Sequence, residues 1–259
     1  MEALLQAVRP DWVFHLAASS SVAASWEDPA ETLTNNLGAQ ANLFASLVRL
    51  DRLPRVLVVG SADEYGAPEH DDALLDEGAP LRPITPYGVS KVAQDYLALQ
   101  YHLSHGLPVV RVRPFNHVGP GQSPAFAIAS FARQVARIEA GLDEPVLRVG
   151  NLESRRDFTD VRDVVRAYGL AIEQGRPGEV YNIGSERSVA LREVVDMLLG
   201  MSRTRIEVEL DPSRTRPVEA RAYRCDSSRF RRLTGWQPSI PLEQTLRDTL
   251  NYWRGQEAA

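Results

Sequence analysis

Tyr87 and Lys91 stand four residues apart in the stretch TPYGVSK. On a helix that spacing puts both side chains on one face. Thr85 is placed to cap such a helix, and Pro86 suits its first position. Tyr87 then sits near the positive end of the helix dipole with the Lys91 ammonium beside it, and both favour phenolate over phenol. Tyrosine ionises near pH ~10, so bringing it to neutrality takes about three units, or ~4 kcal/mol. A tyrosine tuned in this way can hand a proton to a carbonyl oxygen as hydride arrives at the carbon, or take it back. By itself the pair also reads as a packed tyrosine and a solvated lysine. Its neighbours favour chemistry: the helix start is well formed, one apolar run ends in Gly60-Ser61, and a later one ends in RPFNHVGPG. Strand ends of this kind bring polar groups to the C-terminal edge of a parallel sheet, where such folds place their sites.

The elements that must hold these residues show as alternation. WVFHLAA (12–18) and RVLVVGS (55–61) are short continuous apolar runs, the mark of strands covered on both faces, and PVVRVRPFN (108–116) is a third strand. Residues 29–49 carry Leu37, Ala41, Phe44, Ala45 and Val48 at helical spacing, and 86–106 reads as a long helix stopped by Gly106. Residues 2–8 read as the end of a helix and 67–84 as a loop. This is the βαβαβ order of an α/β, doubly wound parallel sheet. After residue 116, helices at 125–141, 161–175, 190–201 and 242–254 accompany short strands VLRVGN, VYNIGS and RIEVEL, and 211–224 is an Arg- and Pro-rich loop. The chain thus divides into 1–116, a sheet domain, and 117–259, a smaller α/β lobe, with a boundary that exchanged strands can blur.

Composition narrows the class. The 259 residues are 44% apolar, enough for a core, and 24% charged, with a formal net charge of −5. A mildly acidic chain is a poor candidate for nucleic acid. The run SRTRPVEARAYR also admits a reading as a solvated basic loop, and it is a poor nucleic-acid patch, since no series of stacking aromatics accompanies it. The single cysteine, Cys225, allows no internal disulfide, reads as inert and points to a reducing cytoplasm. No apolar run approaches the ~20 residues of a membrane span. Glu2 and Gln6 interrupt the N-terminus where a secretory leader would be apolar. EHDDALLDE (69–77) reads as a solvated acidic loop, and no metal is expected, for want of a His/Cys ligand set. His15, inside an apolar strand, reads as a packed core histidine.

The pieces HLAAS, VVGSADEYG, PYGVSK, RPFNHVGPGQ, RRDFTDVRDVV, VYNIGS, RPVEA and TGWQPSIPLEQTL follow one another over nearly the whole chain. In that order they resemble the extended short-chain dehydrogenase/reductases, the NAD-dependent epimerase/dehydratase family of nucleotide-sugar enzymes. NHVGPGQSPAFAIASFARQVARIEAG and VGNLESRRDFTDVRDVVRAY are most similar to GDP-6-deoxy-D-mannose reductases, with GDP-mannose 4,6-dehydratases as near relatives. The resemblance implies a Rossmann-type domain, NADP or NAD as cofactor, a GDP-sugar substrate, and a homodimer formed through helices 36–49 and 87–105. It implies that Ser61 hydrogen-bonds the substrate carbonyl, that Tyr87 is the acid, and that Lys91 tunes Tyr87 and holds the nicotinamide ribose. Leu16, Ala17, Ala18 and Pro114 would line the cofactor. Asn116 would touch the sugar or its phosphate, and Asn151 would lie near the base. Arg156 and Arg216 would clamp the diphosphate, a task suited to forked guanidinium groups, and Glu219 would take ribose hydroxyls. Arg156 also reads as a surface ion pair with Asp157 or Asp160.

Two comparisons with the family pattern refine this. Dehydratases of the family carry a glutamate two residues after the catalytic Ser or Thr, where this chain has Asp63, followed by Glu64. Asp63 and Glu64 are the available acid/base carboxylates, but the shorter Asp63 reaches about an ångström less, at a scale to which catalytic geometry is sensitive. Reductase is therefore favoured over dehydratase. The family's Gly-x-x-Gly-x-x-Gly turn, whose N–H groups hold the cofactor pyrophosphate, has no match in the chain. Strand 12–18 corresponds to the family's fourth, so roughly 55 residues, about two βα units, are expected to be missing. The chain then reads as a truncated form with little activity of its own, or as a non-catalytic GDP-sugar-binding module.

Overall fold

The computed structural model describes residues 1–68, 70, 72–214 and 222–257. The first half contains α1 (Glu2–Val8), β1 (Trp12–His15), α2 (Val22–Glu27), α3 (Pro29–Leu47), β2 (Arg55–Val59), β3 (Ala73–Leu75), α4 (Pro86–His105), β4 (Val109–Pro114) and β5 (Asn116–Val118). The second contains α5 (Ala127–Glu139), β6 (Val146–Val149), β7 (Arg155–Asp160), α6 (Val161–Gln174), β8 (Val180–Ile183), β9 (Ser188–Ala190), α7 (Leu191–Gly200), β10 (Glu207–Leu210), β11 (Tyr223–Cys225), α8 (Ser228–Thr234) and α9 (Leu242–Glu257).

The expected doubly wound sheet is present, with parallel strands in the order β1-β2-β4-β8. Strand alternation builds its two layers. Val56, Val58 and Val109 point to one face and pack with Phe44 and Leu47 of α3. Leu57, Val110 and Val112 point to the other and pack with Val164, Ala167 and Ile172 of α6, together with Phe230 and Trp236. The chain returns from its second half to finish this sheet: β8 pairs with β4, and α6 and α8 lie against it. The remaining strands form smaller sheets, β5-β7-β9, β6-β10 and β3-β11. A separate apolar cluster joins α5, α7 and α9 over β6 through residues such as Phe131, Val135, Leu147, Leu198 and Leu250.

Strand β1 departs from its reading as a strand covered on both faces. Val13 and His15 face the α3 layer, but Trp12 is 51% and Phe14 41% exposed. Strand β1 is the sheet edge among the described residues, and α6 packs chiefly on β2 and β4. The sequence reading also passed over several short elements. Strand β3 lies inside the supposed loop 67–84, paired with β11. Strand β7, in the charged stretch RRDFTD, has no apolar alternation to reveal it. It buries Asp157 instead, and the Asp157 carboxylate accepts the N–H groups of Ser185, Glu186 and Cys225. No helix among the described residues is long and apolar enough to cross a membrane.

Candidate active site

Three C-terminal strand ends and one helix start meet here. Ser61 follows β2 and caps a short 3-10 turn, Ala62–Glu64; its hydroxyl accepts the Asp63 N–H at 3.1 Å. Helix α4 begins as its sequence requires. Pro86 takes the first turn, the Thr85 hydroxyl accepts the Gly88 N–H at 2.9 Å, and Gly106 ends the helix at φ 66°. That start places Tyr87 against the Ser61 hydroxyl, to which it hydrogen-bonds. Lys91, one turn on, donates from Nζ to the Val59 carbonyl at 3.0 Å, and its Nζ lies 5.8 Å from the centre of the Tyr87 ring. Ser61, Tyr87 and Lys91 are thus brought together at the C-terminal sheet edge.

The electrostatics differ from the simple dipole picture. Tyr87 is buried, and burial, followed by the Asp63 carboxylate, raises its pKa above the ordinary tyrosine value; the Ser61 hydrogen bond opposes this. Desolvation disfavours phenolate more than the helix start favours it, so Tyr87 stands as a phenol with its proton in place. Lys91 is brought down to about 8, chiefly by burial, with Glu64 opposing. His15 is buried beside Gln94, whose Nε2 lies 3.5 Å from its Nε2, and burial together with Lys91 lowers its pKa, which keeps the ring neutral.

The two candidate carboxylates occupy different settings. Asp63 faces Tyr87 closely enough to raise its pKa. Glu64 is fully buried, and both of its oxygens are engaged: one accepts the Ser61 N–H at 2.8 Å, the other Arg113 Nε at 2.8 Å. Burial and the Asp95 carboxylate raise the pKa of Glu64, against the pull of Arg113. The sequence reading did not single out Arg113, Arg111 or Asp95. The signal was there, in two arginines two apart on an otherwise apolar strand, a pattern that demands buried partners.

Leu16, Ala17 and Ala18 follow β1 at the same sheet edge, with Leu16 and Ala17 exposed, and Pro114 is buried at the end of β4. Next to this edge a cleft of about 520 Å³ opens between α2 and the second half of the chain. Asn116, Asn151 and Arg156 all lie on its walls, whereas Ser61, Tyr87 and Lys91 do not. Arg156 donates from Nη1 to the Arg155 carbonyl. Its two suggested acidic partners are engaged elsewhere, Asp157 by backbone N–H groups and Asp160 by Arg162 and Thr245. Trp26 and Glu27 of α2, together with Ser213 and Arg214, complete the walls and were not anticipated. Arg216 and Glu219 lie outside the described residues. Buried Tyr223 links the two regions, since both Asp63 and Arg156 act on its hydroxyl electrostatically. Among the described residues no group of His, Cys, Asp and Glu could hold a metal ion.

The chain as a whole has counterparts in known proteins. The chain is 38% identical over 247 residues to GDP-6-deoxy-D-mannose reductase of Pseudomonas aeruginosa, covering 95% of this chain and 81% of that protein. It is 28% identical over 249 residues to GDP-mannose 4,6 dehydratase 1 of Arabidopsis thaliana, covering 94% of this chain and 68% of that one. A solved structure of RMD from Pseudomonas aeruginosa complexed with NADPH superposes with a TM-score of 0.90 at 38% identity, over 95% of this chain and 82% of that one. The family model for GDP-mannose 4,6 dehydratase matches residues 1–249, from α1 into α9 and through every strand of the site. With sequence and fold in agreement, the chain belongs to the GDP-mannose 4,6 dehydratase family.

Proposed function

We propose that the chain is an oxidoreductase that reduces the 4-keto group of a GDP-4-keto-6-deoxyhexose to the alcohol, as in GDP-D-rhamnose formation, with NADPH or NADH. The observation that carries this reading is the meeting of Ser61, Tyr87 and Lys91 at one sheet edge, with Tyr87 held as a phenol. Its likeness to GDP-6-deoxy-D-mannose reductase supports it. The residues fit the nicotinamide end of a dinucleotide: Leu16 and Ala17 are exposed beside the edge that carries Lys91. When bound there, a reduced nicotinamide supplies the hydride. The chain's own residues do the rest. Ser61 holds the carbonyl oxygen by a hydrogen bond, Tyr87 gives that oxygen its phenolic proton, and Lys91 keeps a positive charge beside the phenolate left behind. Asn116, Asn151 and Arg156 hold the GDP portion along the cleft.

No Gly-x-x-Gly-x-x-Gly turn occurs in the 259 residues to grip a pyrophosphate, so dinucleotide binding is expected to be weak. The test is loss of NADPH absorbance with GDP-4-keto-6-deoxymannose at saturating cofactor. Slow turnover that depends on the ketone, in keeping with the little activity expected of the chain, is the result that supports the reading, and none at any cofactor level overturns it for this chain. Asp63 beside Tyr87 supports a second reading, a 4,6-dehydratase, which would convert GDP-mannose without added NADPH. The separation of the cleft from Tyr87 and Lys91 supports a third, a GDP-sugar-binding module without catalysis, for which Tyr87→Phe would change nothing. The functional unit is proposed to be a cytoplasmic homodimer. Val89, Tyr96 and Leu103, seven residues apart along α4, are exposed and form one apolar stripe suited to a facing copy of the same helix.

A further inference from the structure

We propose that Glu64 is a positioning residue: through Arg113 and Asp95 it ties the turn that carries Ser61 to the helix that carries Tyr87 and Lys91. The inference rests on the reductase reading for its catalytic consequence, though not for the linkage itself. Glu64 touches neither solvent nor cleft, and its two carboxylate oxygens are occupied by Ser61 N–H and Arg113 Nε, each at 2.8 Å. A group so enclosed has no free oxygen to offer a substrate proton.

The rest of the chain of contacts runs outward from Arg113. Its Nη1 donates to the Tyr65 hydroxyl at 3.2 Å, and its Nη2 donates to Asp95 Oδ2. Asp95 Oδ1 accepts Arg111 Nη1 at 2.9 Å, and Arg111 Nη2 donates to the Gly178 carbonyl at 2.8 Å. Two carboxylates and two guanidinium groups therefore alternate in a buried row. Asp95 is one turn beyond Lys91 and two beyond Tyr87, on the same face of α4. Arg111 and Arg113 lie on the same face of β4 as Val109, which packs in the apolar cluster at the far end of the strand. The charge is thus confined to the end of that face nearest the site.

Close packing fixes the turn as well as the charges. A Cβ on Gly60 would come within 2.1 Å of Glu64 Oε1, so the carboxylate folds over bare backbone. A Cβ on Gly88 would come within 2.7 Å of the Asp63 carbonyl, so the first turn of α4 rests directly on the Ser61 turn. Breaking such a buried row at one point leaves a charge without its partner, which loosens whatever that partner held.

The test uses the full chain carrying Glu64→Gln, which keeps the shape but turns a donor toward Arg113, and separately Asp95→Asn, which breaks the row at its other end without touching Ser61. Hydrogen exchange is read at the Ser61 amide and across 87–95, alongside steady-state kinetics. Both variants are expected to speed exchange at Ser61 about tenfold or more, the signature of local opening. Both are expected to lower kcat about 10- to 100-fold with little change in KM for the GDP-sugar, as when a reacting group is displaced by about 1 Å. In Glu64→Gln the alkaline limb of kcat/KM moves to lower pH, because the Glu64 carboxylate raises the Lys91 pKa. Unchanged exchange at Ser61 in both variants overturns the proposal. So does a Glu64→Gln profile from which one titrating limb has vanished, since that marks a proton-transfer group. A wild-type chain that turns over no ketone sinks the reductase reading, while the exchange measurement still decides the linkage.

Discussion

Tyr87 carries the proton in the proposed reaction, and its surroundings explain why it keeps it. Burial and Asp63 hold the group as phenol, so it is loaded before a ketone arrives. Tyr87→Phe removes that proton and is expected to lower kcat by about 10³-fold, the range for general acid catalysis. GDP affinity, measured by titration calorimetry, should stay unchanged in the same variant, because Tyr87 is not part of the cleft wall. Arg156 should show the opposite pattern. A charge-assisted hydrogen bond to phosphate contributes about 2 kcal/mol, so Arg156→Ala is expected to weaken GDP binding about 30-fold with kcat nearly intact. Equal GDP affinity in wild type and Arg156→Ala would remove Arg156 from the site.

Helix α4 has two jobs on two faces. Its inner face presents Tyr87, Lys91 and Asp95 to the sheet, while Val89, Tyr96 and Leu103 line the outer one. Opposed jobs allow a clean test at the level of the element. Tyr96→Glu puts a charge in the centre of the outer stripe and is expected to convert a dimer to a monomer in sedimentation equilibrium, with the helix intact by circular dichroism. A wild-type chain that sediments as a monomer rules out the α4 stripe as a homodimer interface. The inner face depends on capping for its register: Thr85, Pro86 and Gly106 fix where the helix starts and stops, and so where Tyr87 falls.

For the molecule as a whole, burial of Lys91 leaves a trace in stability. The native pKa of about 8 lies below the unfolded value near ~10.4, so the unfolded chain binds more protons between these limits. The Lys91 contribution to stability therefore rises with pH through that window, relieving a burial cost of about 3 kcal/mol at neutral pH, while Glu64, raised by burial, acts in the opposite direction up to about pH 8. Above about pH 10 the buried phenols Tyr65, Tyr87, Tyr168 and Tyr223, all raised by burial, act in the other direction. Between pH 7 and pH 9 the urea midpoint of Lys91→Met should fall relative to that of wild type, because the variant keeps the opposing Glu64 and lacks Lys91. Equal changes in both proteins would mean that Lys91 is not the group responsible.

The local grammar of the chain was sufficient for much of this. Apolar runs at 55–61 and 108–116, caps at Thr85 and Gly106, and the Tyr-x-x-x-Lys spacing each depend on neighbours within a few residues, so the doubly wound sheet and the Tyr87–Lys91 pair were legible without coordinates, while Ser61 joined them through the family resemblance. The row Glu64–Arg113–Asp95–Arg111 was not legible, because its members come from a turn, a strand and a helix and mean nothing until those elements meet. The same holds for the cleft, whose walls combine Trp26 of α2 with Asn151 and Arg214 from beyond residue 150. Tyr87 was singled out by its spacing from Lys91, but the helix start and Lys91 pointed to a lowered pKa where burial raises it. A helix dipole is a property of local sequence, but desolvation is set by everything packed around the group, and only the tertiary structure decides that.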